Sequence, residues 1–272
     1  VAAPMDVTFL RDIKHGGPAD QPTAVAAELA AFVDAAQSAL LVAIYDFRLS
    51  DTLAAPVVAA LTGAARRGVR VRIAYDAGKP STQRVAAFAA LGADPAPVGT
   101  QQWLQQQFAH TGVELKAIAA PSGKLMHNKY AVRDPGSATA AVWTGSANFT
   151  DAAWSRQENN ILRIISPALA AVYERDFTQL WSTGDIIGTG AGDRGETDVN
   201  SARVDWAFAP AEGRSIDADL AGLVRAASGR VVIASMVITS HGVLAALADA
   251  VARGVPLGGI YDGGEMSPIL AE

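Results

Sequence analysis

Residues 39–76 read ALLVAIYDFRLSDTLAAPVVAALTGAARRGVRVRIAYD. Ala39 to Asp46 is nearly continuous in apolar residues, the pattern of a strand covered on both faces. Asp51 to Arg67 reads as a helix stopped by Gly68. Val69 to Asp76 then alternates as a second strand. Upstream, Val7 to Leu10 reads as a short strand. Ala24 to Gln37 carries Val25, Leu29, Phe32, Val33 and Ala36 at helical spacing. Downstream, Ser81 to Leu91 reads as a helix ending at Gly92, and Gly112 to Ile118 as a strand. Asn128 to Asp134, Ala140 to Thr144 and Asn160 to Ile165 are further strands, and Pro167 opens a helix to Trp181. Strands alternating with helices predict an α/β fold: a mixed or mostly parallel sheet flanked by helices on both faces.

Residues 183–202 hold five glycines among Asp and Thr and read as a linker or surface loop. From 203 to 272 the opening pattern returns. Arg67-Gly68-Val69 and Tyr75-Asp76 recur as Arg253-Gly254-Val255 and Tyr261-Asp262, both displaced by 186 positions. The shared displacement points to an internal duplication. The expected organisation is a first repeat over 1–182 and the opening part of a second over 203–272. A sheet half begun leaves an edge and an apolar face to be covered. The expected cover is a second polypeptide.

The 272 residues include 22 Lys and Arg against 27 Asp and Glu, a net charge of −5. That balance argues against a protein built to grip long nucleic acid, so no nucleic-acid partner is expected. Cysteine is absent, which excludes disulfides, thiolate metal sites and a cysteine nucleophile. No apolar run approaches the roughly 20 residues of a membrane span. The start, Val1-Ala2-Ala3-Pro4, suits an exported protein whose leader has been removed.

The chemistry concentrates in His127-Asn128-Lys129-Tyr130-Ala131-Val132-Arg133-Asp134. On a strand, residues two apart share a face, so His127 and Lys129 project together. An ammonium beside an imidazole repels metal ions but suits an oxyanion, which Lys binds as a point charge. The imidazole can then serve as nucleophile or proton donor. Asp134 falls on the opposite parity, where it orients side chains or pins the turn at Pro135-Gly136. Thr144-Gly145-Ser146-Ala147-Asn148 adds a glycine that permits close backbone approach, with a hydroxyl and an amide suited to phosphate oxygens. Glu158 opens the next strand, where a carboxylate can fix the tautomer of His127.

In order along neighbouring strands, H-N-K-Y-A-V-R-D, G-S-A-N and Glu158 resemble the phospholipase D superfamily. The likeness covers most of residues 5–182, and the partial copy after 203 fits that family's internal duplication. The resemblance implies a phosphodiesterase in which two such motifs meet at one site, with no metal or cofactor required. One histidine attacks phosphorus to form a phosphohistidine, and the other protonates the leaving alcohol. Carried over, His127, Lys129, Asp134 and Glu158 are the catalytic set. Lys129, Gly145, Ser146 and Asn148 hold the phosphoryl oxygens.

One departure matters: the chain has a single motif, since His15, His110 and His241 lack a lysine two residues on. The second histidine and lysine are therefore expected on a C-terminal polypeptide of the same precursor. The alternative is a homodimer that uses His127 twice. The preferred substrate is phospholipid at a lipid surface, hydrolysed or transphosphatidylated by a secreted phospholipase D. Trp103, Leu104 and Phe108, in an expected loop, would form a lipid-contacting rim unless they belong to a buried helical turn. The alternatives are a dimeric nuclease of the same superfamily and an inactive binding member.

Overall fold

A computed structural model describes residues 4–78 and 99–270. The helix expected at 81–91 lies outside the described residues. Contacts divide the described chain into two units. One comprises residues 4–78, 99–189 and 195–206, the other residues 190–194 and 207–270.

The first unit is built on a seven-stranded sheet. In chain order its strands are β1 (Met5–Phe9), β2 (Ala39–Ile44), β4 (Arg70–Asp76), β5 (Glu114–Ile118), β6 (Lys129–Arg133), β7 (Ala141–Gly145) and β9 (Asn160–Ile165). Their spatial order is β1-β9-β7-β6-β2-β4-β5. β2, β4 and β5 pair in parallel, and β6, β9 and their partners pair antiparallel. The sheet is thus mixed, with β6 and β9 alone running against the other five strands. Two short strands, β3 (Phe47–Arg48) and β8 (Phe149–Thr150), pair in parallel beside it.

The apolar run at 39–44 explains why β2 is central: every residue in it is buried. Leu40, Val42 and Ile44 enter one core with α1 (Gln21–Asp34) and α2 (Asp51–Arg66). Leu41 and Ala43 enter the other, beneath Leu169, Phe177 and Leu180. Those three belong to the helix Pro167–Thr183, which Ser166 caps through its hydroxyl. Helices therefore cover both faces, as the periodicities require.

Of the two places open to Trp103, Leu104 and Phe108, the structure has the buried helical turn and not the lipid-contacting rim. The three lie on α3 (Thr100–Phe108), with Leu104 and Phe108 buried and Trp103 packed on Phe47 at 5.0 Å between ring centroids. Thr100, Leu104 and Phe108, four apart, make one buried helical stripe. One expectation needs correcting: residues 183–202 are more than a linker. Ile186 and Val199 are buried in the second core, and β10 (Arg194–Val199) pairs with β11 (Ala202–Ala207). The apolar residues between the glycines carry this packing, and glycine content alone concealed it.

The short helix α4 (Asp151–Ser155) follows β8 directly, and the helix Pro167–Thr183 is α5. The second unit contains α6 (Gly213–Ala226), β12 (Val231–Ser235), α7 (His241–Ala252), β13 (Leu257–Tyr261) and α8 (Gly263–Leu270). β12 and β13 pair in parallel, with Tyr261 opposite Ser235. In the first unit Tyr75 stands opposite Ile44, the last residue of β2. The two strand–helix–strand units therefore close on a tyrosine at the same place. All five residues of β13 are exposed, including Leu257 and Ile260, and Val232 of β12 is exposed beside them.

Candidate active site

Three chain segments meet at the carboxyl end of β2, where ligand sites form in sheets of this kind. The first is Tyr45-Asp46-Phe47-Arg48, directly after β2. The second is His127-Asn128-Lys129, entering β6. The third is Gly145 to Asn148, leaving β7. Hydrogen bonds tie them together. The Tyr45 N–H donates to the Asn128 carbonyl at 2.8 Å, and the Phe149 N–H to the Asp46 carbonyl at 3.0 Å. Upstream, the Met126 N–H donates to the buried carboxylate of Asp76 at 2.8 Å.

His127 and Lys129 share a face, as their parity predicts. Both pack on Tyr45. The His127 ring meets the phenol edge-on at 4.6 Å, and the Lys129 ammonium lies 5.0 Å from its centroid. Lys129 Nζ also donates to the His127 carbonyl at 3.1 Å. One side of His127 is open to solvent, and its ring makes no hydrogen bond among the described residues. Desolvation, then the charge of Lys129, bring its pKa down to about 4. At neutral pH the imidazole is uncharged, with a free lone pair. Desolvation also brings Lys129 down to about 7, against a pull upward from the carboxylate of Asp46. Among the described residues the only anion drawing on Lys129 in this balance is Asp46, and burial outweighs it.

Asp46 was not singled out by the sequence. It is buried and accepts from Arg48 Nε at 2.8 Å, Arg48 Nη2 at 2.7 Å and Thr100 Oγ1 at 2.6 Å. Its position after an apolar strand, at a carboxyl end, was the available signal.

Gly145 has φ +142, and a Cβ there would lie 2.2 Å from the Asn160 carbonyl oxygen. Only glycine fits. Ser146 is exposed, but its hydroxyl is engaged: Oγ donates to Asn159 Oδ1 at 2.9 Å and accepts from the Asn160 N–H at 3.0 Å. It staples the turn to β9. The Oδ1 of Asn148 is buried without a hydrogen-bond partner. A buried acceptor left without a donor costs about 1–3 kcal/mol.

Two members of the expected catalytic set stand apart. Asp134 is at the far end of β6. Its carboxylate is buried and accepts from the N–H groups of Gln37, Ser38 and Ala39 and from Ser38 Oγ. It secures the entry to β2, and the four residues 130–133 separate it from Lys129. Glu158 is exposed, with no hydrogen bond or ion pair among the described residues, so it does not orient His127 here. The other histidines lie elsewhere: His15 meets Asp12 at 2.8 Å, His110 sits in a turn with φ +58, and His241 opens α7.

Asp176 is the residue least visible in the sequence. It lies on the apolar stripe of α5, among Leu169, Tyr173, Phe177 and Leu180, and is buried. Its Oδ2 accepts from Tyr130 Oη at 2.6 Å and from Asn128 Nδ2 at 3.2 Å. A carboxylate on the buried face of a helix was the signal. Among the described residues no group of three or more His, Asp or Glu could hold a metal ion, and no helix is long and apolar enough to cross a membrane.

No curated protein matches the chain. Among solved structures, phosphatidylserine synthase from Haemophilus influenzae Rd KW20 is similar, at 11% identity and TM-score 0.58, over 94% of this chain and 61% of that one. Polyphosphate kinase from Porphyromonas gingivalis gives 13% identity and TM-score 0.55, over 94% of this chain and 37% of that one. Nuc from Salmonella typhimurium, a phospholipase D family member, gives 18% identity and TM-score 0.46, over 75% of this chain and 99% of that one. Residues 29–181, more than half of the chain and including every residue of the candidate site, match the family described as "Cardiolipin synthase, PLD-like domain". The chain belongs to the phospholipase D-like family of phosphodiester-processing enzymes.

Proposed function

We propose that the protein cleaves phosphodiesters through a phosphohistidine, with His127 as nucleophile and phospholipid as the preferred substrate. The observation that carries this reading is the convergence of the His127 ring and the Lys129 ammonium on one tyrosine, Tyr45. A nitrogen of His127 bonds to phosphorus as the ester P–O bond breaks, and the departing alkoxide takes a proton from a general acid. Water or a second alcohol then attacks phosphorus, gives up its proton, and releases His127. Lys129 and Asn148 stabilise the charge on the phosphoryl oxygens, which is where catalysis of phosphoryl transfer mainly lies.

The general acid is assigned to a second histidine beyond residues 1–272. Exposed Val232, Leu257 and Ile260 support a partner polypeptide that completes the second sheet; a second copy of the chain is the alternative. The test is release of alcohol from phosphatidylcholine vesicles, with plasmid DNA in a parallel reaction. Headgroup release that disappears in His127→Ala supports the reading. Cleavage of DNA alone replaces phospholipid with nucleic acid, and full turnover by His127→Ala removes the mechanism.

A further inference from the structure

The segment entering β6 carries side chains that alternate in duty. Its odd members, His127 and Lys129, rest on Tyr45. Its even members, Asn128 and Tyr130, both donate to one oxygen of Asp176 on α5. Three residues earlier on that helix, the Tyr173 ring meets Tyr130 edge-on at 5.0 Å. Its hydroxyl reaches Thr144 Oγ1 at 3.4 Å, immediately before Gly145. One helix therefore touches both motif segments from beneath.

We propose that Asp176 is a positioning residue: it clamps Asn128 and Tyr130 against α5 and so fixes the face on which His127 and Lys129 meet the phosphoryl group. The inference rests on the proposed function, since it assigns Asp176 a part in that same site.

The physical case has three parts. A strand entry has no helix ladder to hold it, and a slip of one residue would exchange the two faces. The clamp opposes this because Asn128 and Tyr130, both even, donate to the same oxygen. Burying a carboxylate is costly, and it persists where hydrogen bonds compensate it. Asp176 is 1% exposed and has two such donors. Tyr130 is enclosed, and desolvation followed by the charge of Asp176 drives its phenol pKa well up. The hydroxyl thus keeps its proton, and its role as donor, throughout any working range. Asp176 touches neither reacting atoms nor solvent, so it acts through the two side chains it holds.

The experiment compares the wild type with Asp176→Asn, Asp176→Ala and Tyr130→Phe. It reads turnover of bis(p-nitrophenyl) phosphate, His127 titration by NMR and thermal midpoint, at a temperature where every variant is folded. Asn keeps an acceptor for both donors, so Asp176→Asn retains kcat within about threefold. Asp176→Ala lowers kcat about 100-fold, the scale of a small misplacement of a reacting group, with KM changed by less than about threefold. In the same variant the His127 pKa rises from about 4 toward its ordinary value as the strand entry loosens. Tyr130→Phe moves both readouts in the same direction by less. If Asp176→Ala loses thermal stability alone, keeping wild-type kcat and His127 titration, the residue is merely structural and the proposal is overturned. Should Asp176→Ala fail to fold, wild-type kcat and titration in Tyr130→Phe overturn it equally. If the wild type assembled with the polypeptide that supplies the second histidine leaves the probe intact, the proposed function fails, and the titration still decides the clamp.

Discussion

Replacing Asp134 by Ala separates architecture from chemistry. The carboxylate accepts the Ser38 N–H at 2.6 Å, the Ala39 N–H at 3.1 Å, Ser38 Oγ at 2.9 Å, and the Gln37 N–H at 3.0 Å on both oxygens. Ala39 is buried, so its N–H would lose its partner without gaining water, at about 1–3 kcal/mol. Gln37 and Ser38 are exposed and can recover solvent, so each loses about 0.5–1 kcal/mol. Asp134 also has φ +49, a conformation that Asp tolerates and that costs Ala about 1 kcal/mol more. The sum is about 3–6 kcal/mol, a large part of a typical folding stability. Urea unfolding followed by tryptophan fluorescence reads it as a lower midpoint at unchanged slope. Asp134→Asn keeps one oxygen and loses about a third as much.

The pH dependence has a definite sign. Burial pushes the carboxyl of Asp134 up, but hydrogen bonds from Ser38, Ala39 and Gln37 outweigh it, and the pKa is lowered. Its contribution is therefore complete above the ordinary carboxylate value and is lost as pH falls through the folded one. The gap between wild type and Asp134→Ala closes in that acidic window. A stability loss below about 1 kcal/mol, accompanied by abolished turnover, would refute this reasoning and return Asp134 to the chemistry.

Lys129→Met removes a desolvated ammonium, so at pH 6 its thermal midpoint rises while turnover is lost; a lower midpoint would contradict the desolvation. The profile of kcat/KM against pH is a bell, falling below about pH 4 as His127 gains its proton and above about pH 7 as Lys129 loses one. A flat profile from pH 3 to 9 would deny both groups a role. Gly145→Ala drives a Cβ into the Asn160 carbonyl, so kcat falls and the β7–β9 pairing weakens, visible as faster amide exchange along both strands. Glu158→Ala changes stability by less than about 0.5 kcal/mol, as expected of an exposed side chain without partners.

Much of the architecture was legible because burial writes itself into periodicity. The unbroken apolar run at 39–44 announced a central strand, and the i, i+2 spacing of His127 and Lys129 announced a shared face. The glycine of G-S-A-N stands where only glycine fits. What the sequence concealed was tertiary. Leu104 and Phe108 lie in a glutamine-rich stretch, and their helix is held by Phe47, 57 residues before Leu104 in the chain. The match of H-N-K-Y-A-V-R-D to a known pattern grouped Asp134 with His127, although strand geometry sends them to opposite ends of β6. Asp46 and Asp176 gave only faint signals, one by its place after an apolar strand and one by interrupting an apolar stripe. Their partners come from Thr100 and from Asn128 and Tyr130, and folding alone brings these together.

The central claim is a covalent bond between His127 and phosphorus. The direct measurement is an alkaline quench of the full-length enzyme during turnover of a phosphodiester, followed by peptide mass spectrometry. The account predicts an acid-labile adduct on the peptide containing His127, carrying the phosphoryl group and the retained half of the substrate, and absent from His127→Ala. Turnover with that peptide unmodified at every quench time would contradict it.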